Sequence, residues 1–142
     1  MVGLTAGCSK DMLPFSGGML EGEVSLAPAD WTTVSSVEVA QLETKSPEPY
    51  SVNLWVIGHP EHLYIFAGGS RANWVDHIEA NPHVRMKMGK EIYELVATQV
   101  TDADEFEIFA QGWKSKYGRR PWNDDVNETY LFRLTAADSD DA

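Results

Sequence analysis

The run from Tyr50 to Ala97 reads as strand, turn, strand, Gly-rich loop, short helix, strand, turn, strand, and this order leaves few folds open. Val52, Leu54 and Val56 alternate with Ser51, Asn53 and Trp55, which predicts a strand over 51–57. Gly58-His59-Pro60-Glu61-His62 predicts a turn, and Leu63 to Ala67 pairs back as the second arm of a hairpin. The chain then leaves the strand through Phe66-Ala67-Gly68-Gly69-Ser70-Arg71 and enters a helix over 71–80, with Ser70 as its expected N-cap. Trp74, Val75 and Ile78 form the buried stripe of that helix, and Pro82 ends it by barring Asn81 from helical geometry. Val84, Met86 and Met88 alternate with Arg85 and Lys87, so the next strand has one apolar and one basic face. Gly89-Lys90 turns into a strand over 91–100, in which Tyr93, Leu95 and Ala97 share a face.

The flanks extend this pattern. Residues 35–44 predict a first strand with Val37 and Val39 on one face, ended by Lys45-Ser46-Pro47-Glu48-Pro49. Asp102 and Glu105 have capping-box spacing, and Phe106, Phe109, Ala110 and Trp113 recur at helical intervals, so a longer helix runs from Asp102 to Lys116. Tyr117-Gly118 closes it. A polar loop from Arg119 to Asn127 carries Trp122, and Thr129 to Leu134 is a last strand with Tyr130, Phe132 and Leu134 on one face. A small antiparallel sheet of long alternating strands closes into a barrel, with the helices over its open ends. The expected class is mainly β with helices, an α+β barrel.

A chain of 142 residues with 43% hydrophobic content has room for one domain with a core of its own. Eleven Lys and Arg against 22 Asp and Glu give a formal net charge of −11, which argues against a nucleic-acid or anionic-membrane partner, because phosphates must be met by cations. The single cysteine excludes an internal disulfide and a thiolate metal cluster. Leu4-Thr5-Ala6-Gly7-Cys8-Ser9 resembles the end of a bacterial lipoprotein signal peptide, in which Cys8 would be lipidated. That reading places the protein in the cell envelope, bound to the membrane only through the anchor; an accidental match leaves it cytoplasmic. Residues 1–30 are then a signal remnant and flexible tether, 31–136 the folded domain, and 137–142 an acidic tail. No segment is apolar enough to be a membrane-spanning helix.

Chemistry concentrates at Gly68-Gly69-Ser70-Arg71. A Gly-rich step into a helix offers backbone amides, the helix dipole, a hydroxyl and a guanidinium to an anion. Arg85 and Lys87 are either a basic stripe in a pocket or a solvated strand face. Trp55, Trp74, Trp113 and Trp122 are either stacking platforms or packing residues. His59-Pro60-Glu61-His62 reads as a solvated hairpin tip, and no metal is assigned to it. No nucleophile elbow, P-loop or dinucleotide fingerprint is present.

The stretch from Leu63 to Val84, with Phe66-Ala67-Gly68-Gly69-Ser70-Arg71, an aromatic helix at Trp74, and Ala80-Asn81-Pro82 before a strand, resembles the FMN-binding split-barrel superfamily. That group includes pyridoxamine 5′-phosphate oxidase-like proteins and deazaflavin-dependent nitroreductases. The resemblance implies a six-stranded antiparallel split barrel with two covering helices, commonly a homodimer, holding FMN or coenzyme F420 for oxidoreductase chemistry on a small molecule. It implies a phosphate grip at Gly69, Ser70 and Arg71. Ser51 and Asn53 would lie beside the ring, with Trp74, Arg85 and Lys87 as further candidates for the cofactor site. The catalytic residues are not identified from the sequence; Tyr50, at the rim, is a candidate proton donor. The strand over 51–56 has no basic residue, and Ala72-Asn73 stands where the superfamily has a second one after the Ser-Arg step. An alternative therefore stays open: a cofactor-free, lipid-anchored envelope protein that uses the barrel for binding or assembly.

Overall fold

The computed structural model describes residues 18–33, 36–37, 39–45, 47–69 and 72–137. Its strands are β1 (Glu23–Val24), β2 (Val39–Thr44), β3 (Tyr50–Trp55), β4 (Ile57–His59), β5 (His62–Ala67), β6 (His83–Met88), β7 (Glu91–Val100) and β8 (Tyr130–Ala136). Helix α1 (Asn73–Ala80) joins β5 to β6, and α2 (Ala103–Tyr117) joins β7 to β8. The sheet order is β3-β2-β6-β7-β8-β5-β4, antiparallel throughout, with β1 pairing in parallel to the start of β7. Six strands are long and two are short additions.

The edge strands β3 and β4 are neighbours in the chain, separated only by Val56. A sheet whose first and last strands are joined by one residue must curl until its edges meet. The strand expected over 51–57 is therefore broken at Val56, because that residue carries the chain from one edge to the other. Its backbone groups leave the ladder and are taken by α2. The Tyr117 hydroxyl receives the Val56 N–H and donates to the Val56 carbonyl, both at 3.3 Å, and Lys116 Nζ donates to the same carbonyl at 2.6 Å. Buried backbone groups rarely go without partners, so the C-terminal turn of α2 works as the clasp of the half-barrel.

Two apolar clusters divide the interior. The concave face of the sheet gathers Leu42, Val56, Leu63, Ile65, Met86, Leu95 and Leu134 under Trp74, Val75 and Ile78 of α1. The outer face of β4, β5 and β8 meets Phe106, Phe109 and Ala110 of α2 through Ile57, Tyr64 and Leu131. The periodic stripes expected for both helices and for β6, β7 and β8 are those the core buries.

The first long strand differs from expectation. It starts at Val39, and Val39 is 46% exposed, while Ala40 and Leu42 face the core. Register decides this: Leu42 lies opposite both Val52 and Met86, so even-numbered residues of β2 share their inward face. The described part of the expected tether also runs along the sheet. Leu20 is buried, β1 pairs with β7 at Glu91 and Ile92, and Ser25 N–H bonds Ile92 O at 2.8 Å.

Helix boundaries follow local chemistry at α2 and miss it at α1. Asp102 caps α2 by accepting the Glu105 N–H at 2.8 Å, and Gly118 ends it in the left-handed conformation at φ 93°. By contrast, α1 starts at Asn73 with Ala72 as N-cap and no side-chain cap, two residues later than a Ser70 cap would place it. Ser70 and Arg71 lie outside the described residues, as do Cys8 and the acidic tail from 138 onward.

Candidate functional site

Gly69 has φ +99°, a backbone conformation that L side chains rarely adopt, and it turns the chain out of β5. Four residues later α1 begins, and its N-cap, Ala72, has no side chain to accept from the opening amides. The Val75 N–H donates to the Ala72 carbonyl at 3.0 Å, and the positive end of the helix dipole favours an anion here. The loop after α2 lies against this turn: a Cβ at Gly69 would stand 3.4 Å from Asn123 Nδ2.

A row of aromatic rings leads away from the turn. A Cβ at Gly68 would lie 3.0 Å from Phe66, so this glycine abuts the Phe66 ring. Phe66 meets Trp113 at 5.6 Å between centroids, and Trp113 meets Trp55 at 5.3 Å and Tyr117 at 5.0 Å. Trp55 stacks on Tyr117 at 4.1 Å with planes 16° apart and stays 43% exposed. Phe66, Trp113 and Tyr117 are half-buried. Together they form an aromatic shelf from the edge strand β3 to the Gly68–Gly69 turn. Of the tryptophans considered from sequence, Trp55 and Trp113 belong to this shelf.

The other expected site residues are more dispersed. Trp74 is 4% exposed, and its ring meets Phe132 edge-on at 5.8 Å, so it packs in the core and offers no open face. Trp122 is 90% exposed on its loop. Ser51 is buried opposite Glu43, and Asn53 is exposed opposite Gln41, both on edge strand β3. Tyr50 packs edge-on against His77 at 4.8 Å, and His77 Nδ1 lies 2.8 Å from Thr44 Oγ1.

Arg85 and Lys87 are neither a pocket stripe nor a solvated face. Arg85 Nη1 donates to Glu43 Oε1 at 3.2 Å, and Glu43 is 2% exposed. Leu20 N–H bonds the same carboxylate oxygen at 2.7 Å. Lys87 Nζ donates to the Glu21 carbonyl at 2.6 Å. Residues 20–21 thus cover the outer face of β6, which a strand-by-strand reading could not anticipate.

Behind the shelf is a polar network that the sequence did not signal. Tyr64 donates to Glu105 at 3.0 Å, and Arg133 donates to both Glu105 oxygens at 2.6 Å. Burial and then the Glu105 hydrogen bond push the Tyr64 phenol well above its ordinary range. Burial raises the Glu105 carboxyl, but the hydrogen bonds from Arg133 and Tyr64 outweigh it and hold the group below its ordinary value. Burial, followed by the neighbouring His59, lowers His62. Glu105 is the residue the capping-box pattern flagged; its carboxylate serves the sheet instead of the helix start.

Two open cavities flank α2. One, of about 490 Å³, is lined by Phe106, Glu107, Asp124, Asp125 and Val126 and is acidic. The other, of about 400 Å³, lies between Thr32, Ile57, Gly112 and Lys116. Neither includes the Gly69 turn. In the acidic cavity Glu107 and Asp124 are both paired with Arg120.

No family model matches the chain, and no curated protein matches it in sequence. Solved structures match in fold. A candidate 5-nitroimidazole antibiotic resistance protein from Bacteroides thetaiotaomicron superposes with a TM-score of 0.61 at 11% identity, over 74% of this chain and 76% of the other. A FAD-binding protein from Mesorhizobium loti gives 0.54 at 20% identity, over 75% and 87%. An F420 reductase gives 0.56 at 17% identity, over 79% and 97%. The fold is the split barrel: an antiparallel, mainly β half-barrel with two helices, shared with flavin- and F420-binding proteins.

Proposed function

We propose that this chain binds FMN or coenzyme F420 and acts as an oxidoreductase on a small molecule. The observation that carries the reading is the aromatic shelf ending at a left-handed glycine and an uncapped helix start. This combination suits a ligand with a planar ring at one end and a phosphate at the other. Named binding of FAD and F420 among proteins of the same fold supports it. The residues present fit such a group in part. The amides at the start of α1, with Gly69, Ser70 and Arg71, would hold the phosphate. Ser51 and Asn53 on the β3 edge would orient the ring beside Trp55. When bound, the cofactor supplies hydride or electron transfer. The chain's own part is to bind, to orient, and to exclude water with Phe66, Trp55 and Trp113.

Arg85 and Lys87 are not assigned to this site, because Glu43 and the Glu21 carbonyl engage them. That engagement favours a second reading, a cofactor-free module for binding or assembly, to which a lipid anchor at Cys8 would belong. Fluorescence-quench titration of the full chain with FMN, FAD and F420 separates the two. Micromolar binding of one of them, weakened about tenfold or more in Arg71→Ala, supports the oxidoreductase reading. No binding by any of the three removes it and leaves the module.

A further inference from the structure

The tip of the β4–β5 hairpin differs from the solvated turn its sequence suggests. The turn is reduced to Pro60-Glu61, and His59 and His62 face each other across it as a paired position of the ladder. Their imidazoles stack with centroids 4.3 Å apart and planes 8° from parallel. One ligand atom from each of His59, Glu61 and His62 lies within 4.8 Å of the other two. Both histidines are partly buried, and His62 Nε2 is fully buried with no hydrogen-bond partner. A buried imidazole nitrogen without a partner is costly, and an ion bound at that nitrogen would remove the cost.

We propose that His59, Glu61 and His62 form a site for a divalent transition-metal ion that favours imidazole, such as zinc or nickel. The donor set is two neutral nitrogens and one carboxylate, which suits these metals and disfavours magnesium and calcium. Zinc–nitrogen bonds of about 2.0–2.1 Å place two donors on one ion roughly 3.4 Å apart, within reach of side-chain rotation from the observed spacing. The backbone of the tip is held in place. His59 and His62 are fixed by ladder pairing, and the Trp31 N–H bonds the Pro60 carbonyl at 3.2 Å. His59 Nδ1 accepts the Glu61 N–H at 3.1 Å, and a metal takes either ring nitrogen at the cost of that one hydrogen bond. Water completes the coordination. This site is separate from the shelf and does not depend on the cofactor reading.

The test is calorimetric titration of the untagged full chain with zinc and with nickel, using magnesium as control, alongside proton–nitrogen NMR of the histidine rings. The expected result is one equivalent of zinc or nickel bound with no response to magnesium. The His59 and His62 ring signals should move while those of His77 and His83 stay. Affinity should fall roughly tenfold or more in His59→Gln and in Glu61→Gln. Glu61 is exposed on the turn, so its variant keeps the fold even if His59→Gln does not. The proposal is overturned by the absence of stoichiometric binding, by binding that both variants leave unchanged, or by ring shifts confined to His77 and His83.

Discussion

Arg133 on β8 donates through Nη1 to both carboxylate oxygens of Glu105 on α2, each at 2.6 Å, and thereby ties the first turn of the helix to the sheet it covers. Both side chains are partly exposed, so solvent weakens the pair relative to a buried one. Arg133→Met should lower unfolding free energy by about 1–2 kcal/mol, because a carboxylate that also accepts from Tyr64 loses the cation paired with it. The double variant Arg133→Met with Glu105→Gln should cost less than the sum of the singles, as read by urea denaturation.

The same carboxylate gives a pH dependence of definite sign. Burial works against its ionisation, but the hydrogen bonds and charge of Arg133 win, so Glu105 binds a proton more weakly folded than unfolded. Its contribution is fully present above the ordinary glutamate value and is lost as pH falls below that value toward the depressed one. The fall in stability between about pH 5 and pH 3 should be shallower in Glu105→Gln than in the native chain. Equal slopes in the two proteins would contradict the assignment.

Arg85 and Glu43 are more deeply buried, at 13% and 2% side-chain exposure. Removing the cation leaves a buried carboxylate without its ion-pair partner, so Arg85→Ala should cost about 3–5 kcal/mol, while Arg85→Met with Glu43→Leu should recover most of it. The Leu20 amide shares that carboxylate, so its hydrogen exchange should accelerate in Glu43→Leu. The expected effect of Arg85 variants is on stability, and they should not alter the flavin or F420 titration proposed above.

Tyr117→Phe tests the clasp. The ring that stacks on Trp55 is kept, but the Val56 N–H loses its acceptor while Lys116 still serves the Val56 carbonyl. A loss of about 1–2 kcal/mol is expected in thermal or urea unfolding, with the Trp55 environment unchanged by fluorescence.

Much of the fold was legible because the signals were local. Alternation at Val84-Arg85-Met86-Lys87-Met88 and helical spacing at Phe106, Phe109 and Ala110 fix which side chains face inward, whatever surrounds them. Asp102 and Gly118 bound α2 for reasons contained in one turn of helix. The misreadings came from longer range. A valine on a strand suits either face, so the shared face of Val37 and Val39 does not say which side is inward, and only the pairing of Leu42 with Val52 and Met86 sets the register. Ser70 satisfied the chemistry of a cap, but the helix starts at Asn73 behind Ala72.

The sequence by itself determined the order of the six long strands and two helices, the apolar faces of all but the first long strand, and the Gly68–Gly69 departure from β5. These depend on period, on proline and on glycine, which act through the backbone of their own segment. Only the tertiary structure decided that Val56 closes the half-barrel, that residues 20–21 engage Glu43 and Lys87, and that Trp55, Trp113 and Phe66 line up beside the Gly69 turn. It also decided that His59 and His62 face one another. Each of these joins residues remote in sequence or opposed across a ladder. Their partners are chosen by the curl of the sheet, which no single segment encodes.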